Sequence, residues 1–576
     1  MIRENIRELI EKSIRELQKE KVLPEFELPE IQVEWPEEKT HGDYATNAAM
    51  VITKILRKNA MEIAENLKSQ ISNLKTNLLE RVEVAEPGFI NFWVKNSEFE
   101  KLFSKVLSQG VKIFQKKPQK RETIVIEYSS PNIAKPLGVH HLRSTIIGQA
   151  LVNILRFFGH KVISLSFPGD WGTQFGLLIA AYKKWGDKKK LEENPISEML
   201  NLYVRFSQAA KENPKLLEEG RREFKKLEEG DSENKKLWKW FLEESLRDFN
   251  RVYKLLGVKI ENTIGESFYE PELKSLVEDA VKRGVAEYGK DGSIVIQIPG
   301  SATPEIIQKS DGATIYTTRE LAAIRHRLKK WRATKILYVA ANQQTFHLNQ
   351  VFGAAKLLGI AKLEQLVHVK FGMMLALGGK KFATREGRLI PLEEVLKEAV
   401  SRAKKIVDKL NPSLPEKLKE DIAKEVGIGA VKFFDLFHNR LTDIIFDWER
   451  MLNLKGFSAP YIQYTYARLE SILRKTNFKK KKKPLILITH PLEREIIFKI
   501  LRFDEVIEKI TNNYFPHQLA EYLYDLSNIL NNFYETLPVL KAKENERQSR
   551  LNLVYTAKEI LKTGLNLLGI SAPERM

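Results

Sequence analysis

The chain has 576 residues, which is too long for one hydrophobic core and predicts several domains. It contains no cysteine, so disulfide bonds, cysteine-based zinc sites and thiol nucleophiles are excluded. The formal net charge of +19, from 94 Lys and Arg against 75 Asp and Glu residues, favours a polyanionic partner such as nucleic acid.

The first predicted domain covers residues 1–112 and combines helical patterns with short strands such as VEVAEP and GFINFWV. The basic, polar run from Gln115 to Thr123 then interrupts the pattern, so we expect an N-terminal α+β domain followed by a linker. The first residues are charged, and no run of about 18 apolar residues occurs along the chain. We therefore expect a cytoplasmic protein with no membrane partner.

The second predicted domain covers residues 113–409 and belongs to the α/β fold class. Its strand candidates TIVIEYS, KVISLSF and KILYVAA are each followed by helical patterns, which predicts a parallel sheet with right-handed helical crossovers. A charged helical segment at about 186–261 is predicted as an insertion. The segment VAEYGKDGSIVIQI is predicted as a hairpin that turns at Lys290-Asp291-Gly292.

The third predicted domain covers residues 410–576 and is continuously helical. Apolar residues recur there at three- and four-residue spacing, as in LAEYLYDLSNILNNFYETL. The basic run from Lys479 to Lys483 is compatible with a solvated loop or with a phosphate contact.

One strand-turn-helix unit has the features of a phosphate-binding site. After the strand TIVIEYS, a stripe of apolar residues predicts a helix that begins near His141 and stops at Gly159. A helix N-terminus after a parallel strand has unpaired N–H groups and partial positive charge, which suits a phosphate. His140 and His141 can donate there to phosphate oxygens as charge develops. A structural role for the two histidines is the alternative.

Several motifs occur together in a fixed order along nearly the whole chain: HGDYATN, PGFINF, SSPNIAKPLGVHHLRSTIIG, GDWGTQFG, DGATIYTTRELAAI, GFSAPYIQYTYAR and APERM. Together they resemble arginyl-tRNA synthetases, a family of class I aminoacyl-tRNA synthetases. The resemblance implies a Rossmann-type catalytic domain, an N-terminal domain that contacts tRNA and an all-α anticodon-binding domain.

The resemblance also implies a reaction and its partners. L-Arginine attacks the α-phosphate of ATP to give arginyl-adenylate, and the terminal ribose of arginine tRNA then accepts the arginyl group. Mg²⁺ would accompany ATP, and the protein would be a monomer.

The nucleotide site implied by the resemblance is unusual. Family members read HVGH where this chain reads Gly138-Val139-His140-His141, so His141 matches the second histidine while Gly138 and His140 depart. Either His140 supplies the missing imidazole, or ATP binding is impaired and the chain is a tRNA-binding relative with weak or no catalysis.

The second ATP loop matches the segment 381–385. The implied catalytic residues are His140, His141, Lys135, Lys381 and Arg385, and the implied ATP contacts are Gly138, His140, His141, Gly169, Asp170, Lys381 and Phe382.

The arginine pocket must offer carboxylates, because a guanidinium presents five donors in a planar fork. Glu320 stands where the family usually has Asp, so its carboxylate reaches one methylene further. Without the family match, Glu320 would also suit a first-turn helix acid favoured by the helix dipole. The substrate-binding residues implied by the resemblance are Glu127, Ser130, Asn132, Tyr316, Glu320 and Gln344.

The predicted tRNA contacts lie at both ends of the chain. In YIQYTYARLESILRK, Tyr461, Tyr464 and Arg468 interleave aromatic rings with a cation, which suits unpaired anticodon bases but also a helical core. The resemblance adds Asn47 and Phe89. Other class I specificities are disfavoured, because a glutamate site needs opposing cations and the cysteine enzyme's zinc site needs cysteine.

Overall fold

The structure is a computed structural model that describes residues 1–74, 76–115, 118, 120–376, 379, 390–481 and 484–576. The chain divides into two compact units, one made of Met1–Gln115, Arg468–Val506 and Asp525–Leu561, and the other of Lys116–Ala467, Ile507–Tyr524 and Lys562–Met576. Among the described residues, no helix combines the length and the apolar character that a membrane span requires.

The strands are β1 (Val33–Glu34), β2 (Tyr44–Thr46), β3 (Leu79–Ala85), β4 (Phe89–Val94), β5 (Thr123–Glu127), β6 (Lys161–Ser166), β7 (Asn262–Thr263), β8 (Glu287–Tyr288), β9 (Ile294–Ile296), β10 (Glu305–Gln308), β11 (Lys335–Ala341), β12 (Leu366–Phe371), β13 (Met374–Leu375) and β14 (Ile444–Ile445).

The α-helices are α1 (Ile2–Lys19), α2 (Ala48–Leu56), α3 (Ala60–Asn73), α4 (Asn96–Gln109), α5 (Leu142–Phe158), α6 (Thr173–Trp185), α7 (Lys188–Glu193), α8 (Pro195–Glu212), α9 (Lys215–Glu229), α10 (Ser232–Leu256), α11 (Glu270–Lys282), α12 (Tyr316–Trp331), α13 (Thr345–Leu357), α14 (Leu392–Leu410), α15 (Glu416–Leu436), α16 (Trp448–Met451), α17 (Ala459–Lys475), α18 (Pro491–Leu501), α19 (Phe503–Asn513), α20 (His517–Thr536) and α21 (Glu544–Leu567).

The first unit contains a four-stranded antiparallel sheet in the order β1-β2-β4-β3. Helix α1 packs on α3, and its buried residues Ile6, Ile10 and Leu17 recur at the spacing of one helical face. The α+β character predicted for the N-terminal region is confirmed.

The second unit is built on a five-stranded parallel sheet in the order β12-β11-β5-β6-β7. The predicted strands TIVIEYS, KVISLSF and KILYVAA correspond to β5, β6 and β11, so the parallel α/β sheet is confirmed. In such a sheet the carboxyl ends of the strands share one edge, and ligands bind there.

Helix α5 follows β5, as the apolar stripe predicts. A 3₁₀ turn over Val139–His141 leads into it, and it ends at Gly159, whose φ of 112° is the left-handed conformation that favours glycine. Leu142, Ile146 and Leu155 are buried on this helix. The turn with the two histidines is therefore held by a helix anchored in the core.

The helical character predicted for about 186–261 and the predicted hairpin are both present. Helices α7 to α10 pack with α6 around buried apolar residues that include Phe206, Leu227 and Phe241. Strands β8 and β9 pair antiparallel, and Gly292 between them has a φ of 81°. Strand β10 adds to β9 and completes a three-stranded sheet.

The prediction of continuous helix after about residue 410 is wrong at Ile444–Ile445. These residues form β14, which pairs in parallel with β13. The Ile444 and Phe446 N–H groups donate to the carbonyls of Met373 and Leu375, both at 2.8 Å. The pairing arises because a distant segment offers carbonyl acceptors, and helical periodicity within the region does not reveal it.

Candidate active site

A cavity of about 590 Å³ opens at the carboxyl ends of β5 and β11. Strand β5 contributes its last residue, α12 contributes Tyr316 and Glu320, and the 3₁₀ turn before α5 contributes both histidines. Most of the predicted catalytic and substrate-binding residues in the described part of the chain therefore meet in one place. The predicted residues that line this cavity are Glu127, Ser130, Asn132, His140, His141, Tyr316, Glu320 and Gln344.

His141 has a defined tautomer. The Gly138 N–H donates to Nδ1 of His141 at 3.1 Å, so Nδ1 is an acceptor and Nε2 of the neutral ring carries the hydrogen. Burial, with the neighbouring His140 as the second cause, lowers the pKa of His141 to about 3. At neutral pH, His141 therefore offers a neutral N–H donor, and it does not act as a cation.

The His140 ring occupies the space beside Gly138. A Cβ atom at position 138 would lie 2.6 Å from Cε1 of His140, which is closer than a carbon contact allows. The ring of His140 also lies against that of His141, with 3.8 Å between the ring centroids. The two departures from the family pattern are thus coupled, because the imidazole at 140 can take this position only when residue 138 has no side chain.

Glu320 is a buried carboxylate that faces the cavity. Its side chain is 1% exposed, and its Oε2 has no hydrogen-bond partner among the described residues. Burial, with the negative charge of Glu127 as the second cause, raises the pKa of Glu320 to about 8. A cation entering the cavity would stabilise the ionised form.

Arg327 belongs to the same buried cluster and was not predicted from the sequence. Its side chain is fully buried and its Nη1 lies 2.5 Å from Oε2 of Glu127. It also donates to the Tyr338 hydroxyl at 3.1 Å. The available signal was its position seven residues after Glu320 in RELAAIRHRL, which places both on one face of α12.

Three other predicted residues, Lys135, Gly169 and Asp170, do not line the cavity. Nζ of Lys135 lies 4.9 Å from the ring centroid of Tyr203 in the insertion helix α8. Asp170 is buried, and its carboxylate accepts from the Ser267 N–H at 2.8 Å and from the Ser267 hydroxyl at 2.7 Å. Gly169 lies so close to Asn132 that a Cβ there would collide with the Asn132 side chain.

The predicted residues of the second ATP loop, Lys381, Phe382 and Arg385, lie outside the described residues.

Two of the predicted tRNA contacts line a separate cavity of about 420 Å³ in the first unit. Asn47 precedes α2, and Phe89 begins β4 with 38% of its surface exposed. Asn91 and Trp35 line the same cavity and were not predicted. Since PGFINF contains both Phe89 and Asn91, alternation along a strand was the available signal for Asn91.

The remaining predicted tRNA contacts lie on α17. The Tyr461 ring lies 5.5 Å from that of Tyr524, and Tyr464 is 36% exposed. Arg468 donates to Oδ1 of Asn531 at 3.0 Å.

Three family models match the chain. The model for the catalytic domain of class I tRNA synthetases (R) matches residues 102–448. The models for the arginyl tRNA synthetase N terminal domain and for the DALR anticodon binding domain match residues 4–94 and 462–576.

Curated relatives and solved structures agree with these matches. The chain is 37% identical over 576 residues to an arginine–tRNA ligase of Halothermothrix orenii, covering 100% of this chain and 99% of that protein. It is 39% identical over 546 residues to an arginine–tRNA ligase of Lactococcus lactis subsp. cremoris, covering 94% and 95%. The arginyl-tRNA synthetase structures from Plasmodium falciparum and Thermus thermophilus are 27% and 25% identical, with TM-scores of 0.84 and 0.83; both cover 100% of this chain, and 99% and 100% of their own chains.

Proposed function

Because the chain belongs to the arginyl-tRNA synthetase family, we propose that it is an arginine–tRNA ligase. It converts L-arginine and ATP to arginyl-adenylate and pyrophosphate, and then transfers the arginyl group to the terminal ribose of arginine tRNA. One observation supports this most strongly. The buried Glu320, whose Oε2 has no hydrogen-bond partner among the described residues, shares its cavity with two imidazoles at the start of α5.

The histidine turn is assigned to the phosphates of ATP. The N-terminus of α5 favours an anion. Because Nδ1 of His141 accepts from the Gly138 N–H, the Nε2–H of His141 is the ring donor that remains for a phosphate oxygen. This donor stabilises the charge that develops on the α-phosphate during attack by the arginine carboxylate, which is electrostatic catalysis. His140 supplies the second imidazole of the motif, since its ring occupies the space beside Gly138.

The opposite side of the cavity is assigned to arginine. The ionised Glu320 faces the guanidinium, and Tyr316, four residues earlier on α12, lies beside it. Glu127, Ser130, Asn132 and Gln344 line the rest of the cavity and are assigned to the same substrate.

The remaining assignments follow the family motifs. Lys135, Lys381 and Arg385 supply cations for the leaving pyrophosphate, and Gly138, Gly169, Asp170 and Phe382 contact the nucleotide. Mg²⁺ enters as part of the nucleotide substrate. The described residues contain no group of three or more histidine, aspartate or glutamate side chains that could hold a metal, so we assign no step to it.

The tRNA contacts belong to both units. Asn47 and Phe89 are assigned to the tRNA elbow, and Tyr461, Tyr464 and Arg468 to the anticodon. The proposed organisation is a tRNA-contacting domain at 1–112, a catalytic domain at 113–409 with its insertion at about 186–261, and an anticodon-binding domain at 410–576. We propose that the protein acts as a cytoplasmic monomer.

The deciding experiment is aminoacylation with labelled L-arginine, ATP and an arginine tRNA transcript, with a tRNA for another amino acid as the control. We expect arginyl-tRNA to form only with the arginine tRNA. Binding of arginine tRNA without any charging would instead support the non-catalytic relative. Exchange of pyrophosphate with ATP, measured with and without tRNA, then reports whether the activation step needs tRNA.

A further inference from the structure

Arg327 is a buried cation that the proposed reaction does not use. Its guanidinium is enclosed by β5, by α12, which carries it, and by β11. Besides its contacts with Glu127 and the Tyr338 hydroxyl, its Cζ lies 5.1 Å from the ring centroid of Phe167 and 5.6 Å from that of Tyr338. A buried charge of this kind costs free energy unless a partner compensates it.

The summed charge of Glu127, Glu320 and Arg327 matches the charge of one bound guanidinium. Glu127 and Glu320 both line the cavity, while Arg327 lies in contact with Glu127. With both carboxylates ionised, the three side chains together carry a net charge of −1. One guanidinium carries +1, so the cluster compensates one such group. Arg327 pairs with Glu127, whereas Oε2 of Glu320 faces the cavity with no hydrogen-bond partner among the described residues.

We propose that Arg327 is a positioning residue that sets the charge of the arginine pocket: it compensates the charge of Glu127, so that the negative charge balanced by the substrate guanidinium is that of Glu320. This inference rests on the proposed function, which assigns the cavity to L-arginine. Without Arg327, two uncompensated carboxylates would face each other, and they would retain a proton that arginine has to displace.

Several other groups influence the protonation of Glu320, and all belong to elements packed around it. They are Glu127 of β5, Arg327 and Tyr316 of α12, Glu266 and Tyr269 of the turn before α11, and Tyr338 of β11. The pKa of Glu320 is about 8 in this environment, so Glu320 is largely protonated at neutral pH. Binding of a guanidinium to the ionised carboxylate therefore releases a proton.

Isothermal titration calorimetry of the full chain with L-arginine tests the inference. Repeating each titration in two buffers that differ in ionisation enthalpy gives the number of protons released. For the wild-type protein, we expect about 0.9 proton at pH 7 and less than about 0.1 at pH 9.5, as a pKa near 8 requires. In Arg327→Met, the midpoint of proton release shifts up by about one pH unit or more.

Variants that remove a positive or a negative charge from the cluster separate the effect of charge from the effect of packing. Arg327→Lys keeps the charge, so its midpoint stays near that of the wild type. Glu127→Gln leaves Arg327 uncompensated beside Glu320 and shifts the midpoint down. The double variant Glu127→Gln/Arg327→Met removes both charges and brings the midpoint back towards the wild type. Arg325→Met is the matched control, because Arg325 lies on the same helix but pairs with Glu272 at 2.9 Å.

The possible outcomes are distinguishable. An unchanged midpoint in both Arg327→Met and Glu127→Gln would overturn the inference and leave Arg327 with a packing role only. If the wild-type chain bound no L-arginine, the proposed function itself would fail. Circular dichroism monitors folding, and if Arg327→Met does not fold, the opposite shifts expected between Glu127→Gln and the double variant decide the question.

Discussion

The two sides of the cavity are built in different ways. The histidine side depends on contacts between residues close in sequence, since the Gly138 N–H fixes the His141 ring from three residues away in the same turn. The acidic side is assembled from distant segments, because Glu127 and its partner Arg327 are 200 residues apart in the sequence. We therefore expect changes on the histidine side to act mainly on turnover, and changes on the acidic side to act mainly on arginine binding and its pH dependence.

The largest expected effect is that of His141→Ala on turnover. Loss of one preorganised donor to the developing phosphate charge lowers kcat of aminoacylation by about a hundredfold or more, while the KM for arginine changes little. Steady-state kinetics with arginine tRNA measures both constants. His160→Ala is the control, because His160 follows the far end of α5 and accepts from the Glu122 N–H. A normal kcat in His141→Ala would remove this side chain from the mechanism.

Glu320→Gln gives the next largest effect and tests the acidic side. Replacing the carboxylate removes a charge-assisted hydrogen bond of about 1.5–3 kcal/mol, so the KM for arginine rises roughly tenfold to hundredfold while kcat at saturation changes less. Glu320→Asp restores the carboxylate and should recover part of the affinity with shorter reach. If the Gln variant lowered kcat and left KM unchanged, the division between the two sides of the cavity would be wrong.

The sequence predicted the histidine side of the cavity better than the acidic side. The apolar stripe and Gly159 placed the start and end of α5, and alternation of strands and helices placed β5, β6 and β11 in a parallel sheet. Arg327 was missed because its role depends on Glu127 of another element, and a cation in a helical pattern resembles any surface residue. The contact of Lys135 with Tyr203 was missed for the same reason, since α8 belongs to the insertion.

The KM for arginine should also depend on pH. Burial and Glu127 raise the pKa of Glu320 to about 8, and only the ionised form pairs with a guanidinium, so affinity increases as pH rises through that value. Between pH 7 and 8.5, the KM is expected to fall about five- to tenfold. The measurement is KM for arginine across this range at saturating ATP and tRNA. Glu320→Gln should abolish the dependence, and persistence of the full slope in that variant would assign the titration to another group.

The smallest expected effect concerns the exchange of residues within the histidine turn. Gly138→Ala places a Cβ 2.6 Å from the His140 ring and displaces it, so kcat falls roughly fivefold, or about 1 kcal/mol. In a His140→Gly background the same alanine has nothing to displace and should have almost no further effect. Gly138→His/His140→Gly restores the order usual in the family and should recover kcat to within about twofold of the wild type. Additive losses across this series would show that the two positions act independently, and the histidine side would then not be a self-contained local unit.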